Sequence, residues 1–349
     1  MTFHYVQLSI IAGLALLLTI VLSVVDRHRL HYRTAFAWLT VFIRYTLAFI
    51  LIMYGSIKVI QLQFPFPSLY RLTQDFGDAS PMGLAWTFIG YSSGYNLFAG
   101  LGEVVGGILL FSRRTTTLGA IVALGVMSNV MMMNFFYDIP VKLFSSHLVV
   151  MALFLLSADA VRLVRFFLLN QPVPPRQYAL QLSQRTRRIL LIIKVVLIGG
   201  TLFTYAERAI AGQKERGTLA PPPPLYGIYD VQTFVVNGDT IPPLTTDTIR
   251  WRRLVVDYPQ HAQVRQMNDS LQRYSFVMDT AQQKVTMQRS NSSNQELSLS
   301  YERPTADQLV FWGKSGSDTL HIIMQQYDVN NYLLVRRGFH WINERPFNR

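Results

Sequence analysis

The sequence predicts an α-helical integral membrane bundle of six transmembrane helices followed by a C-terminal all-β antiparallel domain, a barrel or a sandwich. Three observations carry that prediction. Half of the 349 residues are hydrophobic and only 15% are charged, a charge density too low for an ordinary soluble domain. The apolar residues gather into stretches of about 20, the length that crosses a hydrocarbon core of about 30 Å. Beyond about residue 225 the pattern changes to short alternating runs separated by turn residues.

Six stretches pass the length filter: Val6–Val25, Ala37–Ile60, Trp86–Phe111, Thr117–Tyr137, Phe144–Phe166 and Ile189–Tyr205. Their orientation follows from the connections, because Lys and Arg are retained on the cytoplasmic side. Arg27, Arg29 and Arg33 follow the first span, Arg113 and Arg114 the third, and Arg162, Arg165, Arg176, Arg185, Arg187 and Arg188 surround the connection between the fifth and sixth. The alternate connections are poor in basic residues, with Arg71 offset by Asp75 and Asp78, and Lys142 by Asp138. N-terminus and C-terminal domain are therefore both expected outside. The first span reads as a retained anchor, since nothing basic precedes it and no small-residue cleavage site follows. The Pro-containing basic connection 170–188 is either an amphipathic segment on the inner leaflet or a solvated loop that enforces topology.

After the sixth span, residues 206–224 are charged and end in Pro221–Pro224, which predicts a semi-rigid extended linker. Eight strands are expected beyond it: Tyr226–Val236, Ile249–Tyr258, Tyr274–Met278, Lys284–Gln288, Glu296–Tyr301, Gln308–Trp312, Thr319–Tyr327 and Tyr332–Val335, with a tight turn at Asn237-Gly238. The resulting divisions are residues 1–36 (first span and loop), 37–169 (four-helix core), 170–205 (basic loop and sixth span), 206–224 (linker) and 225–349 (β domain with an aromatic tail).

The absence of cysteine excludes disulfides, thiolate metal sites and thiol redox chemistry by this chain. The net charge of +12 follows from topology rather than from nucleic-acid binding, because the basic residues lie between apolar segments. No phosphate loop, nucleophile elbow or zinc spacing occurs, and His261, His321 and His340 lack ligand spacing. No metal site is expected.

Ionisable residues within spans cost about 2.5–3.5 kcal/mol each on insertion scales, so each needs a partner or a task. Arg44 and Glu103 lie 11 and 10 residues inside the loop arginines Arg33 and Arg113, which predicts an intramembrane ion pair at a common depth. Asp159 and Lys194 either pair across the last two spans or snorkel to the headgroups. At the outer level Lys58, Asn134, Asp138, Lys142 and His147, with Tyr91 and Tyr95 further in, form a candidate polar vestibule for an anionic or quinone-like headgroup. The alternative is ordinary polarity at helix ends. His147 is expected to be a hydrogen-bonded residue at a helix start rather than a haem ligand. Met127 and Met131–Met133 are expected in the core. Gly100, Gly102, Gly106 and Gly107 let helices approach closely, within the bundle or at a dimer seam.

The stretch from Arg44 to Phe167 resembles the DoxX family of small four-helix membrane proteins. The likeness rests on Arg44, on Tyr54, Gly55 and Lys58, and on the glycine-rich run Gly100–Gly107 followed by Arg113 and Arg114. The tail Arg337–Arg349 resembles the C-terminal ending of DoxX-like proteins from Bacteroidota. The resemblance implies a Gram-negative inner-membrane location with a periplasmic C-terminal domain. It further implies an accessory or scaffold subunit of a membrane complex without turnover of its own, with a membrane or periplasmic protein partner. Two other functions stay open: a quinone-binding or catalytic subunit of a membrane oxidoreductase, and a lipid or small-molecule carrier, which a hollow barrel would support. Quinone is the one cofactor that any of these implies.

Overall fold

The computed structural model describes residues 2–29, 31–173, 183–290 and 296–348. Among the described residues ten α-helices run as α1 (Thr2–Val25), α2 (Arg33–Val59), α3 (Leu69–Leu72), α4 (Pro81–Tyr91), α5 (Ser93–Leu110), α6 (Thr116–Phe136), α7 (Lys142–Ser157), α8 (Ala160–Phe167), α9 (Gln184–Arg216) and α10 (Leu333–Arg336). The chain divides into two compact units, one of residues 1–66 and 80–219, the other of 67–79 and 220–349.

In the first unit α2 packs on α5, α5 on α6, α6 on α7, and α7 closes back on α2, a four-helix ring. Its core is Leu47, Ala48, Leu51 and Ile52 of α2, Leu110 of α5, Ala120, Ala123 and Met127 of α6, and Leu148, Ala152 and Leu155 of α7. Small residues set the closest approach, that of α2 and α5. A Cβ on Gly100 would meet the Gly55 carbonyl oxygen at 2.7 Å, and one on Gly107 would meet that of Ala48 at 2.8 Å. The glycines therefore serve packing within the bundle, and Met127 is core as expected, whereas Met131 is only partly buried and Met132, on the outward face of α6, is exposed.

Among the described residues five helices, α1, α2, α5, α6 and α9, are long and apolar enough to cross a membrane; α7 and α8 make a sixth if that pair, bent by 76°, is one span. The chain is a multi-pass membrane protein. Three predicted spans differ in detail. The expected helix from Trp86 breaks at Ser92, whose φ of −108° and ψ of 112° leave the helical region while its side chain accepts the Tyr95 N–H and caps α5. The expected fifth span ends at Ser157 before the bend. The sixth, expected to be shortest, is the longest at 33 residues, because residues 207–216, rich in Glu, Arg, Ala, Gln and Lys, favour helix and continue α9 into the expected linker. Gln213 then ties its end to the Ile60 carbonyl. The central part of the 170–188 connection, residues 174–182, lies outside the described residues.

The second unit is a closed antiparallel barrel. Its strands are β1 (Gly227–Val236), β2 (Asp239–Thr240), β3 (Trp251–Tyr258), β4 (His261–Gln266), β5 (Leu271–Asp279), β6 (Lys284–Arg289), β7 (Glu296–Glu302), β8 (Gln308–Ser315) and β9 (Asp318–Gln326). From β3 to β9 each strand pairs with the next, β1 pairs with both β3 and β9, and so eight strands close while two-residue β2 extends β1. Asn237 and Gly238, with φ of 52° and 92°, make the β1–β2 turn as predicted. Strand β4 escaped the sequence reading, since only Ala262 and Val264 mark its inward face. Tyr332–Val335, expected as a strand, forms the helical turn α10 instead.

Inward residues fill the barrel: Tyr229, Phe234, Leu254, Val264, Met287, Phe311, Ile322 and Met324 are all buried in one core. The hollow interior that would have supported a carrier barrel is not what the described residues form.

Segment 67–79 belongs to this unit. Leu69 of α3 packs on the outward-facing Ile228 and Val255, with Tyr70, Leu72 and Tyr327 around them. Asp257 of β3 accepts the Tyr70 N–H at 3.3 Å. Arg265 of β4 reaches Asp75 at 2.9 Å and the Thr73 carbonyl at 3.0 Å. Burial raises the Asp257 carboxyl above its ordinary range, and hydrogen bonds from Tyr70, Ser68 and Leu69 only partly offset that.

The aromatic tail exposes Phe339 (85%), Trp341 (87%) and Ile342 (76%). Within it the Phe347 ring lies under the Arg337 guanidinium, 4.4 Å from the ring centre, and Arg337 also donates to Asn343 Oδ1 at 3.0 Å.

Candidate functional site

A cavity of about 720 Å³ opens within the four-helix unit, lined by residues of α2, α4, α5, α6 and α7. Its walls are mostly apolar and aromatic, including Ile50, Trp86, Phe98, Val126 and Phe144, and Gly102 and Gly125 widen it. That volume lies in the range of about 300–1,000 Å³ typical of small-molecule sites. Polar groups enter at few places: Tyr54, Lys58, Gln63, Tyr95, Glu103, Asn129 and Asn134.

The central feature is an ion pair between Lys58 Nζ and Glu103 Oε1, with both side chains buried. Each is carried on a helix face that glycine brings close, since Gly55 and Gly100 lie one turn from them and against each other. Glu103 Oε2 is buried without a hydrogen-bond partner among the described residues, and so is Gln63 Oε1. Asn134 is fixed by donating to Ser145 Oγ at 2.9 Å.

This pair corrects the predicted one. Glu103 binds Lys58, while Arg44 donates to Thr116 Oγ1 at 3.4 Å and lies over the Tyr45 ring at 5.1 Å. The physical reason is interhelical register. Contacts of Gly107 with Ala48 and Ile52, and of Gly100 with Gly55, put Glu103 level with about Ile52, eight residues and roughly 12 Å along the axis from Arg44. Helix α2 extends well beyond the end of α5, so depth counted from loop arginines misaligned them.

Of the predicted vestibule, Lys58, Tyr95 and Asn134 line the cavity and Tyr91, Asp138, Lys142 and His147 do not. Tyr91 lies against Phe66, with ring centres 6.3 Å apart. Lys142 pairs with Asp138 at 2.5 Å, one helical turn away. His147 engages the Leu143 carbonyl through Nδ1 at 2.6 Å, the hydrogen-bonded role expected, and lines a smaller hollow with His4 and Tyr5 of α1. Because Glu103 neutralises Lys58, the cavity offers no uncompensated positive charge from that lysine to an anionic headgroup. Asp159 accepts from Thr117 at 2.5 Å and Arg162 at 3.2 Å, and Lys194 donates to the Phe111 carbonyl. No cluster of three or more metal-ligating side chains occurs among the described residues.

The sequence reading missed Gln63, Trp86 and Phe98 as lining residues. Gln63 was legible only as a polar residue just past a span, and the two aromatics resemble any lipid-facing ring until the helix arrangement is known.

Fold and cavity together define a multi-pass membrane protein that holds an apolar pocket beside one buried ion pair and carries a C-terminal eight-stranded barrel. A stretch of 136 residues is 37% identical to the uncharacterized protein YwoB of Bacillus subtilis (strain 168), covering 38% of this chain and 84% of that protein. The chain belongs to the YwoB family. No family model and no solved structure matches it.

Proposed function

We propose that this chain is an accessory subunit of a bacterial plasma-membrane complex, whose bundle holds an amphipathic molecule of quinone or lipid size without turning it over. The observation that carries the reading is the cavity itself: about 720 Å³, walled by apolar and aromatic side chains, with one neutralised ion pair inside. Such a site suits a long apolar body with a compact polar head. The DoxX resemblance points the same way. A redox role would run through partner subunits, the bound molecule being the quinone. A carrier role would use the bundle, since side chains fill the barrel.

The expected count of six crossings gains support from segment 67–79, while the assignment of the N-terminus and barrel to the periplasm rests on the loop arginines. That segment packs on the barrel, so the two share a compartment, and the chain must cross the membrane an even number of times between them. Spans α5, α6 and α9 give three crossings, and the α7–α8 pair supplies the fourth. Short α8, with Arg162 and Arg165 among exposed Val161, Val164, Phe166 and Phe167, then lies along the cytoplasmic interface. The exposed Phe339, Trp341 and Ile342 are the surface we assign to a protein partner.

The test is extraction of small molecules from the gently purified full-length protein, compared with Gly125→Phe. Gly125 lines the cavity and a Cβ there meets nothing within 4 Å, so the ring fills the chamber without displacing a helix. An amphiphile present in the wild type and depleted in Gly125→Phe is the expected result. Equal recovery from both would overturn the reading.

A further inference from the structure

Two residues that line the cavity each carry a buried polar atom without a partner among the described residues, and both atoms are acceptors. Glu103, 2% exposed, gives Oε1 to Lys58 and leaves Oε2 without a partner among the described residues; Gln63 leaves its carbonyl oxygen Oε1 in the same condition. Both residues line the chamber. A buried acceptor with no donor is costly, and more so on a charged group, so a ligand that stays must bring hydrogens to these oxygens. The ligand's net charge is constrained separately. Lys58 and Glu103 neutralise each other, and in a low-dielectric chamber an added anion or cation would be desolvated with no counter-charge supplied by that pair.

Resting on the reading of the cavity as a ligand site, we propose that it selects a neutral amphiphile whose head donates hydrogen bonds through hydroxyl groups. A hydroquinone-type phenol and an alcohol-headed lipid share this chemistry. An oxidised quinone has acceptors only, and a phosphate-headed lipid has negative charge.

The probes are a short-tailed hydroquinone, its dimethyl ether, the matching oxidised quinone, dioleoylglycerol and dioleoylphosphatidic acid. Each is titrated against the full-length protein in nanodiscs, with binding read by native mass spectrometry and by fluorescence of Trp86, which lines the chamber. The expected result is that the hydroquinone or dioleoylglycerol binds about tenfold or more tightly than the ether, the quinone and the phosphatidic acid. Preference between the first two identifies the source of the hydroxyl. Gln63→Met keeps the ion pair and removes one acceptor, so it should weaken the preferred ligand by about tenfold and leave the ether unchanged. That variant keeps the test independent of whether Glu103→Gln folds. Ether and hydroquinone binding equally, with Gly125→Phe abolishing both, would overturn the hydroxyl proposal and leave the cavity reading standing. Failure of every probe to bind, or binding that Gly125→Phe leaves unaltered, would overturn both.

Discussion

Asp257 on β3 accepts the backbone N–H of Tyr70 at 3.3 Å, across 187 positions of sequence. The contact caps the first turn of α3 with a carboxylate and fastens segment 67–79 to the outer face of the barrel.

Its pH dependence has a definite sign. Burial raises the folded-state pKa of Asp257 above the ordinary carboxylate value of 3.8, so folding takes up a proton in the interval between the two. The stability this contributes is complete below the ordinary value and is lost as pH rises through the folded one. Asp257→Asn keeps an acceptor and abolishes that slope. Amide exchange at Leu69 and Tyr70, followed from about pH 4 to neutrality, should become less protected in the wild type relative to Asp257→Asn. Asp257→Ala removes the acceptor and should cost about 1–3 kcal/mol of that protection.

Lys58 and Glu103 should behave as a unit. Lys58→Met or Glu103→Leu alone leaves one buried charge and should cost about 3–5 kcal/mol, seen as a lower thermal midpoint and yield in detergent. The double variant should recover most of the loss. Arg44→Leu should instead add to Glu103→Leu within about 0.5 kcal/mol, the behaviour of separate sites.

Glycines along α5 and α6 should divide by what faces them. Gly100→Ala and Gly107→Ala drive a methyl group into backbone at 2.7–2.8 Å and should each cost about 1–3 kcal/mol. Gly125→Ala, with open space around it, should leave the thermal midpoint within the equivalent of about 0.5 kcal/mol.

Single cysteines test the topology without interference, because the chain has none of its own. Phe76→Cys in segment 67–79, 80% exposed, and Gln282→Cys at a barrel turn should react with an impermeant maleimide from the same side of intact spheroplasts. Arg185→Cys at the start of α9 should react only after lysis. Labelling of Phe76→Cys and Gln282→Cys from opposite sides would break the parity on which six crossings rest.

Removing Phe339–Arg349 should leave the thermal midpoint nearly unchanged, within about 0.5 kcal/mol, because Phe339, Trp341 and Ile342 bury little surface. Loss of co-purifying protein on the same truncation would identify the tail as the partner's contact.

What the sequence made legible was what depends on local periodicity and composition. Apolar runs of membrane length, the Asn237-Gly238 turn and the alternation of β5 to β9 need no knowledge of neighbours. Serine at position 92 could equally sit inside a helix, and only the capping of α5 makes it a break. Glu103 was recognisable as a buried charge, but its partner depends on how far α2 slides along α5, which the spacing of Gly55, Gly100 and Gly107 sets only once those helices are known to touch. The same limit hid the clasp: Asp257 and Arg265 look like ordinary strand polarity until segment 67–79 arrives from far upstream.

That separation along the chain also imposes an order of synthesis. Leu69 and Tyr70 leave the ribosome long before Val255 and Asp257, and β1 must wait for β9 before the barrel closes through pairs such as Tyr229 with Gln326. A nascent chain therefore carries an uncovered apolar knob on an early loop until translation is nearly complete. Any product truncated before β3 keeps that knob exposed, a ready mark by which proteases can tell an unfinished copy from a finished one.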